Sequence, residues 1–313
     1  MIVSRFAPAP TGFLHLGHVL NALHVWGITH SVGGRVLLRI EDHDRQRSRA
    51  AYEQAILDDL DWLGFVPDDP PTRAFRTGPC RGRQSDRQEV YERALGRLRA
   101  ADLLYACKCT RRDLRAAMDA AHAAGEDDAE LRYMGQCADR NLEWRAGRGI
   151  RVRLPDSVER FVDLRHGLLE QRPSEQCGDV LIRDRDSNWT YQFAVVVDDL
   201  EQGINLVIRG DDLLPSTGRQ IALARLLGRD EPPRFLHHGL IMKSPTQKLS
   251  KADRDTSVRD MRASGASPEE VIGRALRAGT FVETPEALLR EEGEAIAAAR
   301  YRAVIAEMER SRP

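Results

Sequence analysis

Near the N-terminus, His15-Leu16-Gly17-His18 follows a short apolar run broken by Pro8 and Pro10. The tetrapeptide stands where a strand pattern passes into a helix pattern. Backbone N–H groups and the helix dipole at such a junction favour a phosphate. Imidazoles three residues apart on a first turn face the same way. Gly17 removes a side chain where a flat base or sugar could approach the backbone. Far along the chain, Lys248-Leu249-Ser250-Lys251 lies in a Ser/Pro/Thr-containing loop, and two lysines at that spacing suit a clamp on a polyphosphate. Lysine is otherwise rare: of 47 basic residues only Lys108, Lys243, Lys248 and Lys251 are lysine, and three of these cluster. A compact point charge is wanted there rather than a guanidinium fork. Cys107-Lys108-Cys109 followed by Cys137 offers three thiolates for one zinc ion; for the fourth ligand His122, Cys80 and Cys177 compete.

These residues need a scaffold. "IVSRFAPAP" reads as a buried strand ending in a Pro-broken turn. "HLGHVLNALHVWGITHSVG" reads as a helix ending at Gly33-Gly34. "RVLLRIED" is apolar enough for a central strand, and "SRAAYEQAILDDLDWLGF" is a second amphipathic helix. Strand–helix–strand–helix is the start of a parallel α/β sheet. Residues 85–104 give another helix. From about residue 150 short strands are expected: "GIRVRLP", "ERFVDL" and "DVLIRDRDSNWTYQFAVVVDD". "INLVIRGDDLL" is a strand into a turn, "PSTGRQIALARLLG" a helix and "RFLHHGLIM" a strand. Ser267 is read as an N-cap with Pro268 at N1 and Glu270 at N3, and 285–313 as a last helix.

The bulk numbers exclude several classes. A net charge of −1 over 313 residues gives no global basic field, so DNA is not an expected partner, while a local groove for RNA stays open. There is no secretory signal pattern and no window of 18 apolar residues, so a cytoplasmic chain without a membrane partner is expected. Five cysteines in such a chain are read as reduced, buried or metal-binding. Neither a Walker-type phosphate loop nor a G-x-G-x-x-G fingerprint is present.

Together the HLGH and KLSK motifs resemble the two signatures of class I aminoacyl-tRNA synthetases. "RFAPAPTGFLHLGH", "LLRIEDHD", "YQFAVVVDD", "VIRGDDLLPSTGRQ" and "KLSKADRD" resemble the glutamyl branch, in its order and spacing, over roughly residues 3–256. One small departure is Ala252, where the lysine motif ends in serine in the family. The resemblance implies ATP-dependent activation of L-glutamate, the amino-acid carboxylate attacking the α-phosphorus, with Mg²⁺ accompanying ATP. It implies that His15, His18 and Lys251 hold phosphates, with Gly17 and Lys248 in the same catalytic motifs. Around the amino acid it places Arg5, Phe6, Ala7, Pro8, Ala9, Glu41, Tyr191 and Arg209. Charge agrees: glutamate carries two carboxylates and one ammonium, so its pocket needs at least two cations and one anion. Glu41 would pair with the ammonium, and the arginines with Tyr191 would take the carboxylates.

The Cys-x-Cys then Tyr-x-x-x-Cys spacing resembles the short members of that branch, which implies Tyr133 as a zinc ligand beside Cys107, Cys109 and Cys137. Those members lack an anticodon-binding domain and esterify glutamate onto the queuosine of tRNA(Asp). The expected fold is α/β: a Rossmann-like, doubly wound parallel sheet (1–100 and 191–256), an inserted zinc-containing α/β subdomain (101–190), and a short helical C-terminal region (257–313) with no anticodon-binding domain. A monomer is expected. A compact glutamyl-tRNA synthetase charging tRNA(Glu), or a non-catalytic RNA-binding paralogue, are the alternatives.

Overall fold

The structure is a computed structural model that describes residues 1–121, 132–244, 247–248 and 256–279. In chain order the elements are β1 (Val3–Phe6), α1 (Leu16–Ser31), β2 (Arg35–Leu38), α2 (Ala50–Leu63), α3 (Gln88–Ala100), β3 (Leu104–Cys107), α4 (Arg111–Ala121), β4 (Gly149–Val152), β5 (Glu159–Asp163) and β6 (Gly167–Gln171). There follow α5 (Pro173–Gln176), β7 (Val180–Arg183), α6 (Tyr191–Glu201), β8 (Leu206–Gly210), α7 (Thr217–Leu226), β9 (Arg234–His238), β10 (Met242–Ser244), β11 (Gln247–Lys248), α8 (Val258–Ala263) and α9 (Pro268–Ala278). Leu249–Lys251, His122 and the helix expected at 285–313 lie outside the described residues.

The opening strand–helix–strand–helix is as the hydrophobic pattern requires. β1 and β2 pair in parallel, Val3 opposite Arg35 and Phe6 opposite Leu38. β8 and β9 pair in parallel, β9 meets β5 in parallel at Asp163 and Phe235, and β6 closes that edge antiparallel to β5. β1 lies against β8, where the backbone N–H of Asn205 donates to the Val3 carbonyl (3.1 Å) and its side-chain oxygen accepts from the Val3 N–H (2.8 Å). The layer therefore runs β2-β1-β8-β9-β5-β6. Its core joins α1 (Val19, Leu23, Val25, Ile28) to Phe6, Val36, Leu38, Ile208 and Leu236. A separate antiparallel sheet, β3-β4-β7, packs with α3, α6 and α7. The 101–190 stretch thus feeds both sheets: β3, β4 and β7 form the small one, while the β5–β6 hairpin extends the parallel layer because Phe161 packs on Phe235 (centroids 5.4 Å).

One expected strand is a helix. Residues 191–201, the apolar part of "DVLIRDRDSNWTYQFAVVVDD", form α6, and only Val180–Arg183 is extended. Phe193 through Val197 are all buried, so the segment shows no helical stripe. A short apolar run with three valines fits a buried helix as well as a strand, and packing overrides its β-propensity. Ser267 does cap α9, its hydroxyl accepting from the Glu270 N–H while Glu270 accepts from the Ser267 N–H. No helix among the described residues is long and apolar enough to cross a membrane.

Asp59 of α2 is an exception to the apolar core, being 2% exposed with Oδ2 lacking a hydrogen-bond partner among the described residues. Burial pushes its carboxyl up to about 7, against the pull of Arg262 and Arg259. The folded value lies above the unfolded one, so stability declines as pH rises from roughly 4 to 7 and stays flat above. Asp59→Asn should therefore stabilise the protein by about 1–3 kcal/mol at pH 8. Thermal melts should show the gain shrinking towards pH 4.

Candidate active site

The C-terminal ends of β1, β8 and β9 open onto one cavity of about 520 Å³. Ligands in open α/β sheets sit at that edge. Arg5, Phe6, Ala7, Pro8, Ala9, His15, Gly17, His18, Glu41, Tyr191 and Arg209, separated by up to two hundred residues of chain, all line it. Backbone bonds hold two of these segments together: the Arg39 N–H donates to the Phe6 carbonyl and the Glu41 N–H to the Pro8 carbonyl, both at 3.0 Å. Of the second motif, Lys248 pairs with Met242 in the β10–β11 ladder, and Lys251 lies outside the described residues.

The two histidines begin α1. His15 is the N-cap, and its Nδ1 accepts from the Gly17 N–H (3.1 Å); His18 Nδ1 accepts from the His15 N–H (3.2 Å). This is a capping box built from imidazoles instead of hydroxyl and carboxylate. An accepting Nδ1 places the proton of each neutral ring on Nε2. Gly17 acquires a second reason: a Cβ there would stand 2.9 Å from His15 Cε1, so any side chain would push the ring off its cap.

The charges of the cavity rest on a buried network. Arg39, fully buried, donates to Glu41 Oε1 (3.0 Å) and Asp199 Oδ1 (2.7 Å) and lies 3.8 Å from Asp198. Burial opposes its charge, but Asp199, Glu41 and Asp198 outweigh burial and raise its pKa. Asp199 also accepts from Arg5 Nε at 3.3 Å, and burial of its carboxyl is outweighed by Arg39 and Arg5, which hold it below the usual range. Asp198 accepts from Arg87, Gln84 and Tyr91. Arg209 differs: it donates to His237 Nε2 (2.9 Å), Gln220 Oε1 (2.6 Å) and Thr217 Oγ1 (2.9 Å), and burial lowers its pKa. Burial and then Glu41 raise that of Tyr191. One anion and two cations thus face the same space.

The thiols of Cys107, Cys109 and Cys137 lie within 4.8 Å of one another, Cys109 and Cys137 at 3.5 Å. Three sulfurs on a tetrahedral zinc would be roughly 3.8 Å apart, from Zn–S bonds near 2.3 Å. The donor set therefore fits a soft divalent cation. Tyr133 Oη is 3.9 Å from Cys107 Sγ and accepts the Cys137 N–H at 2.7 Å, while Cys80 and Cys177 are not in the cluster. Burial, then the bond with Cys137, pushes the Cys109 thiol up to about 12. Arg151 faces the group, its Nε donating to Cys107 Sγ (3.3 Å) and its guanidinium lying 3.7 Å over the Tyr133 ring. Gly178, at φ +66°, lets Tyr133 come so close that a Cβ would meet its carbonyl oxygen at 1.9 Å.

A second cavity, about 950 Å³, is lined by Tyr191 and by Arg111, Arg112, Arg115, Arg151 and Arg219. The sequence reading missed these arginines, along with Arg39, Asp199 and His237. The i, i+1, i+4 spacing on α4 was the one available signal, since the other residues meet only through the fold.

The chain matches the family model for the catalytic domain of tRNA synthetases class I (E and Q) over residues 1–309. It is 39% identical over 300 residues to a Glutamyl-Q tRNA(Asp) synthetase of Symbiobacterium thermophilum, covering 93% of this chain and 91% of that one. It is 39% identical over 287 residues to Glutamate--tRNA ligase 2 of Alkalilimnicola ehrlichii, covering 89% of this chain but 58% of that one. Among solved structures, a glutamate tRNA ligase of Elizabethkingia meningosepticum in complex with its amino acid superposes with a TM-score of 0.70 at 28% identity, over 92% of this chain and 64% of that chain.

Metal analysis of the purified protein should return one soft divalent ion per chain. Cys109→Ser should lose it, and chelation should lower the melting temperature by several degrees (about 2 kcal/mol or more). Retention of the ion by the variant would show that it sits elsewhere.

Proposed function

Because the chain belongs to the class I tRNA synthetases of the glutamate and glutamine type, we propose that it activates L-glutamate with ATP and transfers the glutamyl group to the queuosine base in the anticodon of tRNA(Asp). The observation that carries this reading is the single cavity joining Arg5, Glu41, Tyr191 and Arg209 to the His15–His18 helix start. An amino acid bearing two carboxylates fits the first set. A phosphate fits the second.

In the first step a carboxylate oxygen of glutamate attacks the α-phosphorus of ATP. A new O–P bond forms, the bond to pyrophosphate breaks, and no general base is needed because the nucleophile is already an anion. The protein positions reactants and stabilises charge. Glu41, oriented by Arg39, takes the ammonium; Arg5, Arg209 and Tyr191 take the carboxylates; Phe6, Ala7, Pro8 and Ala9 wall the pocket. The Nε2–H groups of His15 and His18 donate to phosphate oxygens, Gly17 keeps that turn tight, and Lys248 and Lys251 of the second motif neutralise charge on the phosphates. Mg²⁺ bound with ATP supplies further neutralisation of the phosphates. In the second step a hydroxyl of the queuosine cyclopentene-diol attacks the glutamyl carbonyl. The ester C–O bond forms, the carbonyl–O bond to the phosphate breaks, and AMP leaves with the hydroxyl proton passing to its phosphate. The arginine-lined second cavity beyond Tyr191 gives the RNA its counter-charges. Cys107, Cys109, Cys137 and Tyr133 would hold a structural zinc that fixes β3 against the Tyr133 segment. We read the chain as a monomer, with a catalytic core interrupted by this zinc subdomain.

A second reading, charging of tRNA(Glu), is favoured by the 39% identity to Glutamate--tRNA ligase 2. Transfer of labelled glutamate, with ATP and Mg²⁺, to tRNA(Asp) with queuosine, tRNA(Asp) without it and tRNA(Glu) decides between the two. Label on the queuosine form alone is expected. Label on tRNA(Glu) establishes the second reading, and label on none refutes both.

A further inference from the structure

Arg209 is 4% exposed, yet its hydrogen bonds go to neutral groups, an imidazole, an amide and a hydroxyl, with the Tyr191 phenol beside them, and Asp199 acts on its charge through space. Arg39, equally deep, is bonded to carboxylates. Three of the five N–H donors of Arg209 are committed to the imidazole, amide and hydroxyl, which fixes the plane of the guanidinium, and none of these three matches its charge with a carboxylate of its own. The acceptor on Nε is itself fixed. His237 Nε2 can accept only if the ring proton is on Nδ1, and Nδ1 lies 2.7 Å from Asp163 Oδ2. Asp163 is held in turn: Oδ2 also accepts the His237 backbone N–H (3.1 Å), and Oδ1 accepts those of Arg165 (3.0 Å) and His166 (2.9 Å). Asp163 on β5, His237 on β9 and Arg209 on β8 occupy three adjacent strands, with Arg209 and His237 directly opposite. His237 and Asp163 are no more than 1% exposed, and neither lines the cavity.

We infer that His237 and Asp163 are positioning residues that aim Arg209 at a carboxylate of the amino-acid substrate. Asp163 sets the tautomer of His237, and His237 presents a lone pair, not a proton, to Arg209 Nε. The inference rests on the glutamate reading proposed above and specifies what makes one of its cations available. Three substitutions separate the parts. In His237→Asn the amide reaches Asp163 but not Arg209. In His237→Gln the side-chain oxygen stands near the place of Nε2 and restores the acceptor. In Asp163→Asn an amide N–H faces Nδ1, drives the proton to Nε2 and sets it against the Arg209 N–H.

The test is calorimetric titration of the full-length protein and each variant with L-glutamate and, separately, with ATP and Mg²⁺. Glutamate should bind about tenfold more weakly or worse to His237→Asn and Asp163→Asn, and within about threefold of the unaltered protein to His237→Gln, with ATP affinity unchanged in all three. Unchanged glutamate affinity in His237→Asn would overturn the inference. So would glutamate and ATP affinity falling together in all three variants, because that is the signature of a merely structural role. If the unaltered protein binds ATP but no L-glutamate, the glutamate reading itself fails and the positioning role falls with it.

Discussion

The Arg39 guanidinium, closed off from water between Glu41, Asp198 and Asp199, is the interaction on which the rest of the site depends. A buried cation is tolerable only when paired and hydrogen-bonded, and removing one member of such a group typically costs about 3–5 kcal/mol because the others are left as uncompensated buried charges. Here the members belong to different elements. Arg39 follows β2, and Asp198 and Asp199 lie in the last turn of α6. Glu41 lines the cavity, and Arg5 of β1 reaches the group through Asp199. The same contact therefore joins the β1–β2 edge of the parallel layer to α6 and fixes where an anion and a cation face the cavity.

Against that saturated group, Arg209 shows how one side-chain type does two jobs. Arg39 has its charge matched by carboxylates and acts as a fastener. Arg209 is hydrogen-bonded to neutral acceptors that specify its direction, with Asp199 acting on its charge only through space. An amide chain contributes to that direction, since Gln220 is itself oriented by donating to Gln192 Oε1 at 2.9 Å. Exposure does not distinguish the two arginines, but partner chemistry does.

What was legible in the sequence follows from this. The site residues that line the cavity were legible before any coordinates through the resemblance of their segments to the glutamyl branch; Glu41 or Arg209 alone would pass for an ordinary charge at a strand end. The first two helices were legible because each stops at a glycine, Gly33 and Gly64, and the first two strands because each is a short apolar run. The "YQFAVVVDD" segment was not, because a helix buried on every side has no polar face to betray its period, and its two aspartates looked like a strand end instead of the anchor for Arg39 and Arg87. Arg39 and His237 were invisible for a different reason. The partners Asp199 of Arg39 and Asp163 of His237 sit about 160 and 70 residues away in sequence, and no local pattern marks a pairing that only the tertiary fold creates. The cysteine spacing was legible as a cluster, but Arg151 beside it was not.

The imidazole cap of α1 divides each ring between two duties. Nδ1 faces inward and completes the backbone of the first turn, and Nε2 carries the proton. In the function proposed above, folding and ligand binding draw on opposite atoms of the same residue. A side chain that supplies only the inward acceptor, such as asparagine or serine, can keep the helix start intact and leave the chain as stable as before while silencing its donor. Loss of function at these positions need leave no trace in stability. Variants there would accumulate as well-folded, inactive protein, invisible to any quality control that senses only unfolding.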